Sequence, residues 1–158
     1  MKILGIIEED FIQYKEPSMV VMLPYCTFKC EKDAGCTGMC QNGSLVYRPK
    51  MEVSEETLIK RFMNNQITSA LVLSGLEPFD SKDDIMNLIR EFRNTTESTI
   101  VIYSGYNKDE IDDEVIQELH NLGNVIIKFG RYIPNQTKRF DEVLGVYLAS
   151  DNQYAERI

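Results

Sequence analysis

Apolar residues fall in separate short runs along the chain. Residues 3–7 (ILGII) and 18–23 (SMVVML) are the first two, and the second stops at Pro24. Both predict strands, the first as an edge or hairpin partner of the second. Beyond residue 50 such runs alternate with helical stripes. Ser54, followed by Glu55 and Glu56, predicts a capped helix start with a stripe of Leu58, Ile59, Phe62 and Met63. Residues 70–73 (ALVL) predict a buried strand. Asp80 or Ser81 is the candidate cap of a second helix, whose stripe is Ile85, Leu88, Ile89 and Phe92. Residues 98–103 (STIVIY) predict the next strand. A third helix is expected from Asn107 through Ile111, Val115, Ile116 and Leu119 to a stop at Gly123, before a strand over 124–129 (NVIIKF).

Strands alternating with helices at this spacing imply an α/β fold with a mostly parallel sheet. In such sheets the loops after the strands carry function. Three of them are unusual: the segment of about 25–50, Ser74-Gly75-Leu76-Glu77, and Ser104-Gly105-Tyr106. The alternation sets all three on one rim. Residues 25–50 lack a clear period and are expected to form a long loop, of the length that is usually functional.

Composition narrows the classes. The 158 residues suit a single domain, 1–158, and 43% hydrophobic with 27% charged residues is a globular balance. With 17 Lys+Arg against 25 Asp+Glu the net charge is -8, which speaks against a nucleic-acid partner. No apolar run approaches the roughly 20 residues of a membrane-spanning helix. The start, MKILGIIEEDF, does not resemble a signal peptide, so a cytoplasmic, reducing location is expected. The single histidine, His120, belongs near a helix end. The acids Asp109, Glu110, Asp112, Asp113 and Glu114 read as a solvated helix start.

The four cysteines, Cys26, Cys30, Cys36 and Cys40, all lie in the long loop, spaced C-x3-C-x5-C-x3-C. A disulfide framework would spread them, and so tight a cluster points to a shared metal. Spacing alone leaves three readings open: a structural zinc site of four thiolates, a four-cysteine iron–sulfur cluster, or a [4Fe–4S] cluster held by three cysteines with one iron open.

The flanking residues add a resemblance. Cys26-Thr27-Phe28-Lys29-Cys30, directly after an apolar strand, resembles the opening C-x3-C of the radical S-adenosylmethionine (SAM) superfamily. Cys40-Gln41-Asn42 resembles its third cysteine and the residues that follow, with residues 31–39 as an insertion holding Cys36. One unit later, the strand and turn from Ala70 to Pro78 are similar to the superfamily's S-G-G-E-P turn, with Leu76 in place of the second glycine. Three further segments resemble the activating protein of anaerobic ribonucleoside-triphosphate reductase. They are Ile102 to Ile111, Ile127 to Ile133, and Tyr147-Leu148-Ala149-Ser150-Asp151-Asn152-Gln153. The correspondence runs from about residue 16 to the end, and the last segment lacks the family's usual Trp, Arg and Gly.

The resemblance implies a partial (β/α) barrel of radical SAM type. It implies metal ligands Cys26, Cys30 and Cys40, with Cys36 the alternative third ligand. It implies SAM-binding positions at Ser74, Gly75, Leu76, Glu77, Tyr103, Gly105, Ser150, Asn152 and Gln153, with Tyr106 a further pocket candidate. Gly75 would let the backbone approach the cofactor, and Glu77 would offer acceptors to its ammonium. The implied activity is reductive cleavage of SAM to a 5′-deoxyadenosyl radical, which makes a glycyl radical on a partner anaerobic reductase. No catalytic side chain is needed beyond the cluster and SAM. The electron would come from a flavodoxin or ferredoxin. The alternatives are a radical SAM enzyme acting on a small molecule, such as a deazaguanine synthase, and a zinc or iron–sulfur structural module without catalysis.

Overall fold

The computed structural model describes residues 1–158. Its strands are β1 (Lys2–Ile3), β2 (Gly5–Asp10), β3 (Ser18–Leu23), β4 (Met51–Glu52), β5 (Ala70–Gly75), β6 (Thr99–Tyr103), β7 (Val125–Phe129), β8 (Arg139–Asp141), β9 (Val146–Leu148) and β10 (Tyr154–Arg157). Its helices are α1 (Lys29–Ala34), α2 (Glu55–Asn64), α3 (Lys82–Arg93) and α4 (Asp113–Leu122). Six strands form the central sheet in the order β10-β7-β6-β5-β3-β2. Its four inner strands, β3, β5, β6 and β7, run parallel, and an antiparallel strand closes each edge. The fold is therefore mixed α/β with a mostly parallel sheet, and β2 is the expected hairpin partner of β3.

The two faces of the sheet differ. Alternate residues of the strands point to opposite sides. Met19, Val21, Leu71, Leu73, Ile100, Ile102, Ile127 and Phe129 face one way, onto α2, α3 and α4, in a core of 23 buried residues. Val20, Ala70, Val72, Val101 and Ile126 face the other way, into a smaller cluster with Tyr14, Leu144, Leu148 and Ala155. All three long helices cover the first face. The second is covered only low down, by the β8–β9 hairpin and the chain around Tyr14.

Several local expectations need correction. The segment 25–50 is not wholly a loop, because α1 and a 3₁₀ turn at Gly43–Tyr47 interrupt it. Helix α2 begins as expected, with the Ser54 hydroxyl accepting from Thr57 N–H at 3.2 Å, but Met63 is 48% exposed and lies off the buried stripe. Neither Asp80 nor Ser81 caps α3 with its side chain. Ser81 holds the cap position without a bond, and Asp80 turns toward the cysteine loop. The expected third helix is two elements. Asn107 and Glu110 form a capping box around a single 3₁₀ turn, Ile111 is extended, and α4 starts after Asp112. Gly123 ends α4 as read, at φ 72°, and exposed His120 lies in its last turn.

Candidate metal centre and ligand pocket

Sheet register builds the pocket floor. Met22 lies beside Ser74, and Tyr103 lies beside Lys128, at the upper ends of the four parallel strands. Alternation turns this row toward the face that no long helix covers. Above it is a cavity of about 350 Å³. The cavity is lined by Cys26, Cys30 and Cys40 from the cysteine loop, and by Ser74, Gly75, Leu76 and Glu77 after β5. Tyr103, Gly105 and Gln153 also line it. The three loops expected on one rim do meet there.

Cys36 does not line the cavity. It is exposed, and its thiol reaches only the carbonyl of Thr37, at 3.9 Å. Ser150 and Asn152 stand behind the wall. The Ser150 hydroxyl and the Asn152 amide donate to the Arg131 carbonyl at 3.5 and 2.9 Å, and the Gln153 amide donates to the Gly130 carbonyl at 3.2 Å. These residues brace the turn after β7; of the three only Gln153 lines the pocket, where Tyr147, Leu148 and Ala149 of the same segment join it. Tyr106 also stays outside. Its hydroxyl donates to Asp80, and its ring carries the Lys29 ammonium 4.2 Å from the centroid.

The cysteine loop is anchored at many points. Its helix α1 starts from Phe28, held at φ 53°, and ends at Gly35, at φ 61°. Positive φ at a phenylalanine costs energy that the surroundings must offset. Those surroundings are polar clamps. Asp80 accepts from Thr27 N–H at 2.5 Å, Glu31 accepts from Cys40 N–H at 3.1 Å, and the Asn42 amide donates to the Gly75 carbonyl at 2.8 Å.

Gly75 has a backbone reason to be glycine that needs no cofactor. Its φ is +93°, and a Cβ there would lie 2.9 Å from the Leu23 nitrogen. The constraint is the neighbouring strand β3. Leu76, in the second-glycine position, is buried, and its N–H donates to the Leu23 carbonyl at 3.1 Å.

Glu77 is 5% exposed and is largely engaged. Its carboxylate accepts from Phe79 N–H at 3.1 Å, from the Ser104 hydroxyl at 2.8 Å and from Gly105 N–H at 2.8 Å. Burial raises its pKa against these bonds. Of about four acceptor sites on a carboxylate, roughly one is left. Lys128 is a site residue that the sequence reading did not pick out. It is 6% exposed, lines the cavity and donates to the carbonyls of Ser104 at 3.1 Å and Gly130 at 2.8 Å. Burial lowers its pKa to about 8, with nearby Glu77 opposing. An ammonium has three donors, so one N–H remains for a ligand.

The donor set fits a cluster. All four cysteines are free thiols, and the three around the cavity are half-buried. Burial pushes Cys26 up to about 11, with Glu77 and Asp80 adding repulsion; burial and the neighbouring Cys40 also raise Cys30. Such thiols ionise poorly alone and are stabilised as thiolates by a bound cation. No three His, Cys, Asp or Glu side chains converge tightly enough for a single ion. A four-iron cluster asks for something else, thiolates spread around one body, each on its own iron. Cys26, Cys30 and Cys40 around one cavity meet that demand.

The model of the 4Fe-4S single cluster domain family matches residues 18–153, from the first residue of β3 to the glutamine that reaches the pocket. The chain belongs to this family. No curated protein matches it. The 4Fe–4S family membership supports the cluster reading of the cysteine loop over the zinc reading. No helix is long and apolar enough to cross a membrane.

Proposed function

We propose that this 4Fe–4S protein is a radical SAM enzyme that makes a glycyl radical on a partner protein, an anaerobic ribonucleotide reductase in the first instance. The carrying observation is that the three cavity thiols and the Ser74–Glu77 turn border one cavity of about 350 Å³, within the range of small-ligand sites. When bound, the cluster supplies the electron that cleaves SAM reductively to methionine and a 5′-deoxyadenosyl radical. Cys26, Cys30 and Cys40 hold it, and Cys36 takes no part. The Gly75 carbonyl and the remaining acceptor site of Glu77 receive the SAM ammonium. The free N–H of Lys128 donates to a carboxylate. Tyr103, Leu76 and Gln153 shape the pocket wall and limit water.

The fold is compatible with a partial barrel. All the long helices cover one face of the sheet, and the pocket opens on the other, where a large partner could present a glycine. The electron donor in this reading is a flavodoxin or ferredoxin.

The test is anaerobic reconstitution with iron and sulfide, reduction, addition of SAM and assay of 5′-deoxyadenosine. The expected result is a brown protein that releases it. Added reductase should then show a glycyl radical signal. A loaded cluster without SAM cleavage would overturn the radical SAM reading. Cleavage without a glycyl radical would turn the reading toward a small-molecule substrate.

A further inference from the structure

One charged network beside the cysteine loop has no part in the function proposed above. Arg131 follows β7, and its side chain is only 13% exposed. Its backbone is pinned, since its carbonyl accepts from Ser150 and Asn152. Its guanidinium grips Glu110 with two parallel bonds, at 2.5 and 2.6 Å. Glu110 is fixed in turn by Asn107 N–H, at 2.9 Å. The network reaches α1 at two points: Asp33 lies 2.7 Å from the Arg131 Nε, and Lys29 lies 3.6 Å from Glu110. Cys30 lies between these two residues in α1, three positions before Asp33 and so on the same side of the helix as the carboxylate that meets Arg131.

We propose that Arg131 is a positioning residue for the cluster: a fixed cation against the helix that carries Cys30, which raises the cluster's reduction potential and is partly masked by Glu110 and Asp33. This rests on the reading that Cys30 is a cluster ligand. Reduction adds one negative charge to a body already held by thiolates. A cation nearby in a partly desolvated site favours the reduced form, and charge around the sulfurs is a known lever on such potentials. A bidentate carboxylate partner keeps the guanidinium from swinging into solvent, so its charge stays in place. The same carboxylate offsets part of that charge. The two residues therefore act on the potential with opposite signs, which a purely mechanical clamp does not do.

The experiment uses the full chain, purified anaerobically and loaded with ferrous iron and sulfide. Iron content is measured first. The one-electron midpoint potential is then read by electron paramagnetic resonance during titration with dithionite as reductant. The variants are Arg131→Gln, Arg131→Lys and Glu110→Gln. The expected outcome is full iron in wild type, a more negative potential in Arg131→Gln, a near-normal one in Arg131→Lys, and a more positive one in Glu110→Gln. If Arg131→Gln loses iron, the sign of the Glu110→Gln shift decides alone. Unchanged potentials at full iron, or a negative shift in Glu110→Gln, would overturn the proposal. A wild-type chain that takes up no cluster would overturn the ligand reading beneath it, which separates the two failures.

Discussion

Arg93 at the lower end of the sheet and Glu77 at the upper end are both hubs of hydrogen bonds, with opposite charge and opposite company. Arg93, the last residue of α3, donates to the carbonyls of Thr96, Ser98, Leu122, Gly123 and Asn124 at 2.9 to 3.3 Å. It ties the entries to β6 and β7 together and satisfies carbonyls that the helix ends leave over. It is half-buried and faces no cavity among those described. Glu77 collects N–H and O–H donors under a cavity, is almost fully buried, and has buried Lys128 near it. The lower hub serves stability: burial lowers the Arg93 pKa, but carbonyls meet its donors and no second buried charge stands against it. The upper hub holds opposed charges out of water, an arrangement that costs stability and is common at functional sites.

That contrast can be broken by mutation. The largest effect on stability is expected from Arg93→Ala, which strands several carbonyls: a loss of about 3 kcal/mol in denaturant unfolding of the apo-protein, with iron uptake of the folded fraction unchanged. Gly75→Ala should cost about 2 kcal/mol, because the new Cβ meets the β3 backbone at positive φ. Calorimetry of the apo-protein would check it, and a loss seen only in the presence of SAM would restore the cofactor-approach explanation. Glu77→Gln removes a buried charge but sets amide hydrogens against the donors of Ser104 or Gly105. Its expected effect is a smaller fall in melting temperature than Arg93→Ala gives, with about tenfold weaker SAM binding by titration calorimetry, roughly 1.4 kcal/mol.

The smallest expected effect is one of pH. Hydrogen bonding to Arg131 holds the Glu110 carboxyl down at about 2, against 4.5 ordinarily. The depressed value means that this contribution is complete above 4.5 and is lost as pH falls toward 2. The melting-temperature gap between wild type and Glu110→Gln should therefore close across that window. A gap constant with pH would remove the ion pair from the account.

The parallel sheet was legible because its strands are continuous apolar runs, and the Leu58, Ile85 and Val115 stripes marked the helices. Parallel alternation was also enough to gather three loops on one rim. Helix α1 was not legible, since none of its residues is buried and it carries no apolar stripe. It is defined instead by two positive-φ residues and by partners distant in sequence. The helix start at Asn107 misled for a related reason: a capping box closes a turn but does not say how far the helix runs. Four members of the acidic run beyond it are exposed as expected, but Glu110 is tied to Arg131. Lys128 escaped because one lysine in NVIIKF looks like an outward strand position. Only sheet register shows that this face holds the pocket. Ser150 and Asn152 were read as pocket candidates from resemblance, and the structure sets them off the cavity lining, bonded to the Arg131 carbonyl.

The central claim is that Cys26, Cys30 and Cys40, and not Cys36, carry the cluster. The most direct measurement is iron and sulfide content, with the visible absorption of the cluster, in Cys36→Ala and Cys40→Ala reconstituted side by side without oxygen. The account predicts a full cluster in Cys36→Ala and its loss in Cys40→Ala. Loss in Cys36→Ala with a full cluster in Cys40→Ala would contradict it.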